Sequence, residues 1–79
     1  MGAPKLRSLS GREICRILTL NGFEKVRQRG SHIYMRKRIL QATGEYQVVT
    51  VPVPNHKEVR KGTLSGIIRQ SQLPRELFE

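Results

Sequence analysis

The chain has no aspartate, a single cysteine and no long apolar run. Each shortage removes a class of function. Two-metal nucleases hold their ions with clustered carboxylates. Here the six acids are all glutamates (13, 24, 45, 58, 76 and 79), scattered without a paired motif. A metal-dependent nuclease is therefore disfavoured unless the fold gathers glutamates from afar. One cysteine, Cys15, excludes an internal disulfide. No apolar stretch approaches the roughly 20 residues of a spanning helix. The start, Met1-Gly2-Ala3-Pro4-Lys5-Leu6, lacks the apolar segment of a secretory signal, and Leu6 stands where a myristoylation signal needs Ser or Thr. These absences lead us to expect a cytoplasmic protein that does not engage membranes. At 79 residues the chain fits one domain, 1–79, with 1–9 as a basic lead-in. Such a domain has a thin core and no room for a deep cofactor cleft. No cofactor is expected, and any chemistry must sit at the surface.

What the chain has in excess is positive charge. Fifteen Lys and Arg face the six glutamates, a formal net charge of +9. Such a surface attracts polyanions: nucleic acid, an acidic protein or an anionic membrane, among which charge alone does not choose. A merely solvated basic surface is the plainer alternative.

Ser10-Gly11-Arg12-Glu13 matches a capping box, and Ile14, Ile17 and Leu18 follow at helical spacing. Asn21-Gly22 ends this helix, predicted over about 11–21. A first strand is read from Phe23 to Arg29, with Phe23 and Val26 as its apolar members. Gly30 turns the chain into a second strand over 32–38. There Ile33 and Met35 alternate with His32, Tyr34 and Arg36, so the two sets face opposite ways. A third strand runs from Tyr46 to Val53, closed by Pro52 and Pro54. The stretch from Asn55 to Gly62 reads as a basic loop, and Thr63 as the cap of a second helix with Leu64, Ile67 and Ile68 on its apolar stripe. Pro74 stops that helix, and Leu77 and Phe78 are expected to fold back onto the core. The order predicts an α+β domain, α-β-β-β-α, whose three-stranded antiparallel sheet carries two helices on one face. His32, Tyr34 and Arg36 are then left on the open face.

His32 is the first candidate for chemistry. Histidine gives and takes protons near neutral pH. Arg27, Arg29, Arg36, Lys37 and Arg38 lie near it in sequence and can hold a phosphate and its developing charge. On sequence pattern alone the plainer reading, an ordinary surface histidine, is the favoured one. Lys57, Arg60 and Lys61, with Gly62-Thr63 at a helix start, form either a phosphate-binding corner or a solvated loop. His56 is a second acid or base, or a residue that orders the turn after Pro54. Tyr34 stacks on a base or serves as a β-prone strand residue. A metal site from His32, His56 and Cys15 is not expected, because Cys15 lies beside the apolar stripe of the first helix.

In this order the residues resemble the HicA family of toxin ribonucleases from bacterial toxin–antitoxin pairs. The resemblance runs from Ser10 to about Phe78. It rests on Gly22-Phe23 leading into Arg27-Gln28-Arg29-Gly30-Ser31-His32, and on Val51-Pro52, His56, Lys61-Gly62-Thr63-Leu64 and Ile67-Ile68-Arg69-Gln70. It implies a fold like the double-stranded RNA-binding domain and an endoribonuclease that cuts mRNA and blocks translation. The histidine of the family's Gly-Ser-His motif is catalytic, which implies that role for His32, with Ser31 beside it. A HicB-type antitoxin is implied as the partner, and an acidic surface on it would suit these cations. One departure stands out. The family sets a histidine close behind the valine–proline pair, whereas Val53-Pro54-Asn55 intervene before His56. The role of His56 stays open on that account. Two other readings share the charge and the fold: a non-catalytic double-stranded RNA-binding module, and an adaptor for an acidic protein.

Overall fold

The structure, a computed structural model, describes residues 7–79, so the start 1–6 lies outside the described residues. The element order is α1 (Gly11–Leu20), β1 (Glu24–Arg29), β2 (His32–Leu40), β3 (Tyr46–Pro54), α2 (Lys61–Ser71) and a 3-10 turn over Arg75–Phe78. This is the expected α-β-β-β-α order.

Helix α1 begins where the capping box places it. The Glu13 N–H donates to Ser10 Oγ at 3.0 Å, and the Ser10 N–H donates to the Glu13 carboxylate at 3.0 Å. That backbone hydrogen bond, then the Ser10 hydroxyl, holds the Glu13 carboxyl below its usual value. At the other end Gly22 adopts φ +95°. The Phe23 N–H reaches back to the Leu18 carbonyl at 3.0 Å and the Gly22 N–H to that of Thr19 at 3.3 Å, a Schellman closure.

The three strands form an antiparallel meander in the order β1-β2-β3. Gly30 and Ser31 alone connect β1 to β2, with Arg29 paired to His32. A positive φ at Gly30 and not at Ser31 fits a type II′ hairpin turn. One sheet face is buried through Ile33, Met35, Val49, Val51 and Val53. Against it pack Ile14 and Leu18 of α1 and Leu64, Ile67 and Ile68 of α2 in one contiguous core. Both helices thus cover the same face, with α2 set against β3.

Several boundaries and placements differ from expectation, each for a physical reason. Pro52 does not close β3; the strand continues through it to Pro54. The Asn55 N–H donates to the Ser31 carbonyl at 2.6 Å, so odd-numbered residues here turn their N–H groups toward β2. Pro52 and Pro54 have the opposite parity and lack donors only on the outer side of an edge strand, where no ladder bond is lost. Of the two apolar residues read in the first strand, Phe23 is buried and Val26 is not. The β1–β2 register shifts between Lys25 and Arg27, and Val26 is the extra residue of that bulge, 38% exposed. Thr63 is not the cap of α2. The helix starts two residues earlier, at Lys61, with Arg60 as a cap that makes no side-chain hydrogen bond. Leu9, at the end of the stretch expected as a loose lead-in, is 1% exposed and bridges to Val59 of the basic loop. At the far end Phe78 folds into the core as expected, but Leu77 does not join it and is 39% exposed.

Candidate functional site: the open sheet face around His32

Because side chains alternate along a strand, the burial of Ile33 and Met35 forces their neighbours outward. The register then stacks three cross-strand rows on the open face. The first holds Arg29, His32 and Pro54. The second holds Arg27, Tyr34 and Pro52. The third holds Glu24, Arg36 and Thr50. Successive rows lie roughly 7 Å apart, two residues along a strand. His32, Arg27, Arg29 and Arg36 are exposed, and Tyr34 is half-buried. The Arg27 guanidinium lies 4.8 Å from the Tyr34 ring centre, so this cation is held over an aromatic plate rather than swinging free.

Two depressions mark this surface. A shallow cleft of about 380 Å³ lies over the second and third rows, lined by Val26, Arg27, Tyr34, Arg36 and Thr50. A groove of about 210 Å³ adjoins the first two rows, where His32, Pro52 and Pro54 face α2. Thr63, Gly66, Ile67 and Gln70 form its helical wall.

The expected site residues fall into three groups. Arg27, Arg29, Tyr34 and Arg36 share the open face with His32. Thr63, expected as a helix cap, instead lines the His32 groove from the first turn of α2. Ser31 sits exposed in the hairpin turn, where its carbonyl anchors Asn55.

The others lie elsewhere. Lys37 is on the helix-covered side of β2, half-buried, with Nζ donating to the Asn21 carbonyl at 2.9 Å and lying 5.9 Å from the Phe23 ring centre. Arg38 returns to the open face, but opposite Val48 and over Tyr46 at 4.4 Å. It stands six residues from His32, roughly 20 Å along the strand. Lys57 and Lys61 are exposed near the start of α2 and do not line the groove.

His56 has an exposed side chain outside both depressions. Its carbonyl, however, accepts the first N–H of α1, from Gly11, at 2.9 Å. This loop approaches α1 so closely that a Cβ on Gly11 would come within van der Waals overlap of the Pro54 carbonyl. Cys15 is half-buried against the core, and burial pushes its thiol up despite the opposing charge of Lys25. The fold does not gather the scattered glutamates: among the described residues no three His, Cys, Asp or Glu side chains cluster.

Sequence reasoning missed Pro52, Pro54, Gly66 and Gln70. The signal was present in two periodicities. Pro52 and Pro54 alternate with the buried Val51 and Val53, which assigns them to the face of His32. Thr63, Gly66 and Gln70 recur at i, i+3 and i+7, one stripe of a helix.

Residues 11–73 match the family described as "HicA toxin of bacterial toxin-antitoxin". Neither a curated protein nor a solved structure matches the chain.

Proposed function

The chain belongs to the HicA toxin family of bacterial toxin–antitoxin systems, and from that membership we propose that it is an endoribonuclease that cuts mRNA at His32 and so blocks translation. The observation that carries this reading is the first row of the open face, where exposed His32 lies directly across from Arg29, with Arg27 and Arg36 on the rows beyond. RNA brings its own nucleophile. The 2′-oxygen attacks the adjacent phosphorus, its proton passes to a base, and the 5′-oxygen departs with a proton from an acid. The products are a 2′,3′-cyclic phosphate and a 5′-hydroxyl. His32 serves as one of these proton carriers, and the arginines stabilise the charge that builds on phosphorus. The chemistry requires no metal and no cofactor.

Family membership implies an antitoxin as partner. We assign that partner to the HicB type, with an acidic surface that lies over the cationic rows and occludes His32. The compartment is the cytoplasm, where mRNA is found. No described helix is long and apolar enough to cross a membrane.

The test is incubation of purified protein with a long single-stranded RNA in EDTA, beside a His32→Ala variant checked by circular dichroism. The variant should cut about 10²–10⁴-fold more slowly while keeping its fold. A variant that cuts at the parent rate removes His32 from the mechanism. RNA bound but left intact by both proteins points instead to a non-catalytic binding module.

A further inference from the structure

We propose that the groove between β3 and α2 is a nucleobase subsite. It holds the base of the nucleotide whose backbone lies at His32, and Gln70 and Thr63 read that base's edge. The inference rests on the ribonuclease reading above and adds to it a determinant of where the RNA is cut.

Three observations carry it. The first is position. His32 is itself part of the groove lining, so a nucleotide whose ribose or phosphate touches the imidazole has its base within reach of the same depression. The second is chemistry. The chain carries fifteen Lys and Arg, yet among the described residues none of them lines this groove. The rings of Pro52 and Pro54 and the buried side chain of Ile67 offer apolar surface, and Thr63 and Gln70 add a hydroxyl and an amide at exposed positions. Apolar plates edged by neutral donors and acceptors suit a flat heterocycle, not a phosphate. The cations lie on the adjoining rows, where Arg29 and Arg27 can take the phosphates on either side. An amide and a hydroxyl both donate and accept, so they can pair with a base edge.

The third observation is Gly66. It lies inside α2, where glycine is less favourable than alanine. A Cβ there would meet nothing within 4 Å, so neither close packing nor an unusual φ accounts for it. Its effect is to leave the groove open at mid-wall. The neighbouring cleft over Tyr34 differs in kind, because Arg27 and Arg36 line it and suit it to a phosphate track.

The experiment has two arms. In the first, wild-type, Gln70→Leu and Gly66→Leu proteins cleave a pool of RNAs randomised around the cut, and the products are sequenced. Wild type should favour one or two bases at one position beside the cut. Gln70→Leu should reduce that preference by about tenfold, the scale of one paired base edge. Gly66→Leu, which fills the groove, should abolish the preference. An unchanged preference in both variants overturns the subsite. In the second arm, the four nucleoside 3′-monophosphates are titrated into isotope-labelled His32→Ala protein, which reads binding without cleavage. Base-dependent amide shifts at Thr63, Gly66 and Gln70 support the subsite even if wild type cuts nothing in the first arm. Equal shifts for all four bases, confined to Arg27, Arg29 and Arg36, overturn it. Failure of the ribonuclease reading thus appears as absent cleavage, and failure of the subsite as absent base preference.

Discussion

Arg36 and Lys37 are adjacent in sequence and on opposite faces of the sheet, so their removal should have opposite consequences. Lys37 donates a charge-assisted hydrogen bond to the Asn21 carbonyl at the end of α1, and its ammonium lies 5.9 Å from the Phe23 ring centre. A cation at a helix C-terminus contributes about 0.3–1 kcal/mol, and a partly solvated cation–π contact about 0.5–1 kcal/mol. The stem also covers Gly22, which adds packing. Lys37→Ala should therefore cost about 1–2 kcal/mol. At roughly 4–8 °C per kcal/mol for a domain of this size, the loss is plain in a thermal melt. Arg36 is exposed opposite Glu24, with no salt bridge between them. Arg36→Ala should stay within about 0.5 kcal/mol of the parent. On the proposed ribonuclease reading its effect should fall on RNA binding. Losing one phosphate contact should reduce the slope of log affinity against log salt by about 0.7 for a single strand. The assay pairs urea denaturation with a salt series of RNA binding, all in a His32→Ala background so that the RNA survives. If Lys37→Ala lowers the salt slope and leaves stability untouched, the assignment of faces is wrong.

Three further outcomes follow from local geometry. Gly11→Ala should destabilise the protein by about 1–3 kcal/mol, despite alanine's better helix propensity, because its Cβ would collide with the Pro54 backbone carbonyl; denaturant midpoints will show it, and a stabilised variant would contradict the close approach. Glu13 has a depressed folded-state pKa, so its contribution is present above the unfolded value and is lost as pH falls through the folded one. Glu13→Gln should accordingly flatten the acid side of the stability–pH curve, and an acid limb as steep as the parent's would count against the capping box as its source. Burial raises the Cys15 pKa, so Cys15 should alkylate more slowly with iodoacetamide at neutral pH than a free thiol; a rate at or above that of free cysteine would mean the helix opens there.

Much of this architecture was legible in residue order because the signals were local. Ser10 and Glu13 are three residues apart and announce the start of α1. Asn21-Gly22 announces its end. The alternation of Ile33 and Met35 with His32, Tyr34 and Arg36 divides the sheet into a buried and an open face without any knowledge of partners. What was illegible depended on neighbours distant in sequence. Pro52 reads as a strand terminator until β3 is known to be an edge. Val26 reads as one of two apolar members of the first strand, and only the bulge shows that it is exposed. Lys37 reads as one more cation in a basic run until the end of α1 is seen to lie beneath it. The His32 groove joins residues 32, 52 and 54 to a stripe on a helix that begins at Lys61, and no window along the chain contains them together.

The cationic rows have a thermodynamic consequence as well as a chemical one. Among the described residues the one ion pair is Arg75–Glu79 at 3.4 Å, remote in sequence from the open face. The net charge of +9 is the excess that remains after all six glutamates are counted, and it repels itself in the compact state more than in the extended chain. Whatever neutralises that face stabilises the fold by mass action, whether it is substrate or inhibitor. On the proposed ribonuclease reading, ionic strength should act on this toxin with two opposite signs: added salt should make the free protein harder to unfold and should weaken its binding to RNA. An antitoxin of the proposed acidic kind, bound over those cations, would relieve the same repulsion while taking the place of RNA, and the silenced toxin would then be the most durable form of the chain.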